Sequence, residues 1–247
     1  MGRIEFVGVD GCRSGWFSVG FDSLDGYELK VFPAFSELLD YYRNANLVLV
    51  DIPIGLPEGP GGRACDKAAR KVLDGRNSSV FSVPTRETVE QAAESPGDYK
   101  CAKVTELRFV GKGMSRQAFA IAPKMAQVDS LLRSRHSKAT PEVREVHPEV
   151  CFWALNKRRA MQFNKKEDSG EAERIRVLER LEPRTRAIYR EARRRFVGGG
   201  VGKDDILDAL VAAVTARCGH GRLKTIPECP PRDCEGLRME MAYYSNE

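Results

Sequence analysis

Apolar and polar positions alternate along the first part of the chain with the period of two expected of strands. "RIEFVGVD" (3–10) is the first such stretch, and "GWFSVGFDS" (15–23) and "GYELKVFPAF" (26–35) follow with turn signals between them. This predicts an antiparallel meander of three strands. In "FSELLDYYRNA" (35–45) the period lengthens. Leu38, Leu39 and Tyr42 recur at helical spacing, with Ser36 placed as a cap. "NLVLVDIPIG" (46–55) is an almost continuous apolar run, as in a central buried strand, and Pro53 and Gly55 end it.

From Leu56 to Thr140 the pattern is mostly helical and polar. "RACDKAARKVL", "TRETVEQAA" and "SRQAFAIAPKMAQVDSLLRS" are the expected helices, with loops such as "GPGG" and "VGKGM" between them. "PEVREVHPEV" (141–150) then predicts a short strand with Val143, Glu145 and His147 on one face, and Pro148 opens the next helix. A basic helical stretch runs to Phe196, "VGGGVGK" breaks it, and "DDILDALVAAVTARCG" (204–219) is the last helix. After Gly219 the expectation is an irregular tail, 220–247. The order implies an α/β fold with a mixed sheet of five strands. We read a single domain over 1–247, with a largely helical insertion at about 56–140 after the fourth strand.

The last helix is apolar nearly all round and should be buried. At 100° per residue, Asp205, Asp208, Ala209, Ala212 and Ala216 share one stripe. The alanines permit close approach to a sheet, and the two carboxylates extend that face at its N-terminal end. Acids in a first turn also complement the helix dipole, which suffices for Asp204 as a cap and for Asp205 alone, and is a weak account of Asp208. The first and fourth strands each end in an acid, Asp10 and Asp51. Carboxylates converging in one cleft repel unless cations lie between them. Mg²⁺ or Mn²⁺ takes such oxygen ligands, and two such ions would serve phosphodiester cleavage.

Charge adds a second clue. The whole chain carries +5, but Lys157 to Arg195 holds 14 Lys or Arg against 7 Asp or Glu. "NKRRA", "EARRRF" and "RSRHSK" are the local clusters, suited to a polyanion or to a solvated helix face. Seven cysteines without a CxxC pair argue for reduced thiols rather than a zinc site. No apolar run reaches membrane-span length and no signal peptide opens the chain, so the expected location is cytoplasmic.

The segments "GVDGCRSGW", "DIPIGLP", "SSVFSVPTRE", "IAPKMAQVD", "EVHPEV" and "KDDILDALVAA" resemble, in order, a broad prokaryotic family, domain of unknown function 429. Its members are described as predicted nucleases of ribonuclease H-like fold. The D-x-x-D-A of the last helix is also similar to that of Holliday-junction resolvases. The resemblance implies a ribonuclease H-like core and a metal-dependent nuclease, with Asp10, Asp51, Asp205 and Asp208 as metal ligands. Glu145 and His147 have no close counterpart in the resolvases. They suit a ligand and a proton carrier, or a histidine capping a nearby carbonyl. Arg13, Arg63, Arg86 and Lys124 lie within the motifs and are candidates for holding the scissile backbone, or for pairing with the carboxylates. Two other readings stand beside the nuclease. One is a nucleic-acid-binding protein without turnover. The other is a phosphotransferase, which would need a second D-G turn and a second domain that the chain lacks.

Overall fold

The computed structural model describes residues 2–135 and 141–246. The end of the expected insertion and part of "RSRHSK", from His136 to Lys138, lie outside these residues. The chain divides into two compact units: residues 1–51, 138–224 and 242–247 form the first, residues 52–137 and 225–241 the second.

The first unit is built on a five-stranded sheet. Strands β1 (Ile4–Cys12), β2 (Gly15–Asp22) and β3 (Tyr27–Phe32) form the expected meander. Helix α1 (Phe35–Tyr41) leads to β4 (Leu47–Asp51), which pairs parallel to β1, and β5 (Glu142–Glu145) pairs parallel to β4. The order β3-β2-β1-β4-β5 makes the sheet mixed. Ser36 does not cap α1: the cap position is Ala34, without a side-chain bond, because Phe35 already lies in the helix and puts Ser36 inside the first turn.

Alternation along β2 sorts the two faces. Trp16 meets Phe35 at 4.9 Å between ring centroids and Ser18 bonds Tyr42 at 3.1 Å, so this face carries α1. Phe17 meets Phe196 at 5.5 Å and Phe21 lies under Arg217 at 4.3 Å, so the other face carries the helices of the second half. These are α6 (Pro148–Leu155), α7 (Asp168–Glu179), α8 (Thr185–Phe196) and α9 (Lys203–Gly219). Two helices and an intervening loop thus replace the single basic helical stretch expected before Phe196.

The alanine stripe of α9 does what its residues predict. A Cβ added to Gly8 of β1 would lie 2.0 Å from the Ala213 nitrogen and 2.2 Å from the Ala209 oxygen. Helix backbone and strand backbone therefore touch there, which only glycine facing a row of alanines allows. Every side chain from Ile206 to Ala216 is buried.

The second unit contains α2 (Ala64–Val72), a 3-10 turn (Asn77–Ser79), α3 (Arg86–Glu94), α4 (Tyr99–Val110) and α5 (Arg116–Ser134). Helix α4 was not foreseen. Its apolar residues Val104, Leu107 and Phe109 remain exposed, so its sequence lacks the one-sided stripe of a packed helix. The tail is not wholly irregular either: β6 (Lys224–Ile226) pairs with β7 (Met241–Tyr243). Strands of three residues leave too short a pattern to read. Among the described residues no helix is long and apolar enough to cross a membrane.

Candidate functional site

Parallel pairing sets the first two acids side by side. Asp10 and Asp51 are register partners at the C-terminal ends of β1 and β4. Side chains two apart on a strand share a face, so Asp10 points as Gly8 does, toward α9. Asp51, paired with Asp10, points the same way. Asp208 lies on α9 one residue before Ala209, the alanine against Gly8. One carboxylate oxygen from each of Asp10, Asp51 and Asp208 falls within 4.8 Å of the others. Among the described residues this is the one group of three or more metal-ligating side chains so close together.

The cluster is electrostatically loaded. Asp10 is 8% exposed and Asp208 3%. Burial, and then the charges of Asp51, Asp208 and Asp205, hold the Asp10 carboxyl well above the usual carboxylate range. Burial and the charge of Asp208 do the same to Asp51, with smaller contributions from Glu145 and Asp205. Burial raises Asp208 as well, against the pull of Lys165. The Asp10 Oδ1 accepts a 2.6 Å bond from the Gly11 amide, which the tight turn after the strand supplies.

Lys165 is the site residue that the sequence did not reveal. Its Nζ donates to Asp208 Oδ2 at 2.6 Å and lies 3.8 Å from Asp204 Oδ2. The charges of Asp208, Asp51 and Asp10 push its pKa upward, so it is a firm ammonium. The loop before α7 holds it in place. Glu173 accepts the amides of Gln162 and Phe163 at 2.9 and 3.0 Å. Arg174 donates to the Phe163 carbonyl at 3.2 Å and pairs, buried, with Glu149 of the "EVHPEV" segment. At Gly170 an added Cβ would lie 1.9 Å from the Asn164 carbonyl oxygen, so the loop rests directly on the helix.

The other candidates fall in varied places. Asp205 accepts the Gly202 amide at 2.8 Å and so closes the start of α9, the role expected of Asp204. The helix begins with Gly202 as its cap, which moves Asp204 into the first turn beside Lys165. Glu145 is buried, but its register partner is Val50, so the pleat turns it to the face opposite Asp51. β5 ends at Glu145, and His147 is the cap residue of α6, its carbonyl accepting from Val150 and Cys151 at 2.9 and 3.0 Å. Arg13 is exposed on the β1–β2 turn, its amide bonded to the Gly200 carbonyl at 2.9 Å.

Arg63, Arg86 and Lys124 belong to the second unit. Arg63 is buried against Asp66, 3.4 Å away, and the Cys65 sulfur. Arg86 is buried between Asp129 at 3.2 Å and Asp233 at 2.5 Å, with Glu58 at 3.3 Å. These two guanidinium groups hold their own unit together. Lys124 is half-buried on α5.

Two buried carboxylates and one half-buried, Asp51, form a hard, oxygen-only donor set, which suits a hard divalent cation rather than a thiol-seeking metal. None of the seven cysteines is in a disulfide, and none joins the cluster. No curated protein and no solved structure matches the chain significantly. The profile of a family described as "Protein of unknown function (DUF429)" matches residues 8–232, nearly the whole chain, and the chain belongs to that family.

Proposed function

We propose that this protein is a divalent-metal-dependent nuclease, hydrolysing phosphodiester bonds of nucleic acid on a ribonuclease H-like core. The observation behind this reading is the convergence of Asp10, Asp51 and Asp208 at the ends of two parallel strands, with oxygens within 4.8 Å. Asp10, Asp51 and Asp208 would hold Mg²⁺ or Mn²⁺. A bound ion of this kind supplies Lewis acidity and lowers the pKa of a coordinated water.

The chain's own residues do the rest. The Gly11 amide fixes the rotation of the Asp10 carboxylate, so that its geometry is set before substrate arrives. Asp205 secures the first turn of α9 and thereby the position of Asp208. Phosphate contact falls to exposed cations. Of the fourteen basic residues from Lys157 to Arg195, at least six are in ion pairs: Lys165, Arg174, Arg184, Arg186, Arg193 and Arg195. Exposed Arg190 and Arg194 on α8, together with Arg13, are better placed to meet a polyanion than those six.

A second reading draws on the Lys165–Asp208 ion pair, which offsets part of the acidic charge with no ion present. On that reading the protein binds nucleic acid without cleaving it. Labelled single-stranded, duplex, hybrid and branched substrates incubated with Mg²⁺, Mn²⁺ or EDTA distinguish the two. The nuclease predicts metal-dependent cleavage that Asp10→Asn abolishes while circular dichroism is unchanged. Salt-sensitive binding by both proteins, with no cleavage of any substrate, would establish the second reading instead.

A further inference from the structure

We propose that Lys165 takes the place of a second cation in the acidic cluster, so that the site accepts one divalent ion and not two. The proposal rests on the reading of Asp10, Asp51 and Asp208 as a metal centre, and it departs from the two-ion arrangement expected from the sequence.

Geometry is the first argument. The ammonium lies 2.6 Å from Asp208 Oδ2 and 3.8 Å from Asp204 Oδ2. It thus occupies the α9 side of the cluster, the side on which Asp208 would contribute to a second ion. The strand side, where Asp10 and Asp51 stand in register, has no ammonium within ion-pair distance among the described residues. Charge is the second argument. The three carboxylates of the cluster and the ammonium leave two negative charges among them, which a single divalent ion neutralises, while Asp204 and Asp205 add negative charge around that set. A second divalent ion would have to expel the ammonium or share its space at high Coulombic cost.

Construction is the third argument. A surface lysine that drifted toward an acid would need no support, but Lys165 sits in a loop fixed on both sides. Glu173 takes the two amides before it, the Asn164 carbonyl packs where Gly170 leaves no room for a Cβ, and Asn164 Oδ1 accepts the Lys166 amide at 3.1 Å. Behind the loop, Arg174 is fully buried and is paired with Glu149. A buried ion pair adds little net stability but is costly to break, so it holds the loop in one position. Here the position it sets is that of one ammonium.

The test is a count of Mn²⁺ bound per chain, by equilibrium dialysis with the free ion read by electron paramagnetic resonance. Wild type is expected to bind one ion, Lys165→Met two, and Lys165→Arg, which keeps the charge, one. Two ions in wild type overturn the proposal without recourse to any variant. One ion in both wild type and Lys165→Met also overturns it while leaving the metal centre intact. No ion in either protein removes the metal centre itself, and the proposal with it.

Discussion

A carboxylate at the end of a buried strand is destabilising unless its charge is offset, and Asp10 has three like charges close by against the single ammonium of Lys165. Removing the Asp10 charge therefore relieves repulsion in the metal-free protein. In EDTA, Asp10→Asn is expected to raise the melting temperature by about 2–4 °C, the shift that about 1 kcal/mol gives in a protein of this size. With Mn²⁺ the order should reverse, because only wild type gains stability from a bound ion. Differential scanning calorimetry under the two conditions checks both signs, and a lower melting temperature for the variant in EDTA would mean that Asp10 is offset by something other than a metal. The three acids were legible because each follows a rule: two terminate apolar strands, and one extends an alanine stripe. Lys165 was not. It stands in "QFNKKEDSG", where two adjacent lysines look alike, and the choice between them is made by Asn164 lying against Gly170, a contact between segments that no local period records.

At the scale of elements, the site depends on how near α9 comes to β1. The added Cβ at Gly8 would fall 2.0–2.7 Å from three backbone atoms of the helix, none of which can rotate away. Gly8→Ala is thus expected to destabilise by about 3 kcal/mol or more, the upper range for overpacking, and to lower the urea midpoint accordingly. A loss under 1 kcal/mol would show that helix and strand can part without consequence. The meander, the buried fourth strand and the buried last helix were readable because alternation, an apolar run and a small-residue face are local patterns with one structural solution each. Helix α4 and the β6–β7 pair were not, since α4 leaves Val104 and Leu107 exposed and the two strands have three residues apiece. The capping role expected of Asp204 fell to Asp205, one position on. The cap falls on Gly202, and no propensity scale separates a glycine that caps from one that merely ends the "VGGGVG" break.

For the whole molecule the two kinds of buried acid give stability opposite responses to pH. Glu182, buried beside α8, would be pushed up by burial. Bonds from Arg184 and Arg217, each at 2.8 Å, more than offset this and bring it from the ordinary 4.5 down to about 2. Its folded value lies below its unfolded one, so its contribution is full above about pH 4.5 and is lost as pH falls toward 2. Asp10 and Asp51 shift the other way. Their folded values lie above the unfolded ones, so without metal they weaken the fold at neutral pH. That penalty fades as pH falls through their folded values. Urea unfolding in EDTA from pH 7 to pH 3 separates the two. Glu182→Gln should be less stable than wild type by about 3 kcal/mol at pH 7, since it leaves two arginines without their acid, and the gap should narrow as pH drops. Asp10→Asn should be more stable than wild type at pH 7, and that gap should narrow too, from the opposite side. A constant Glu182→Gln difference across the range would mean the residue acts through packing alone. A constant Asp10→Asn difference would mean that Asp10 titrates alike in the folded and unfolded chain, so that the cluster does not load its charge and gives no electrostatic reason to hold a divalent ion.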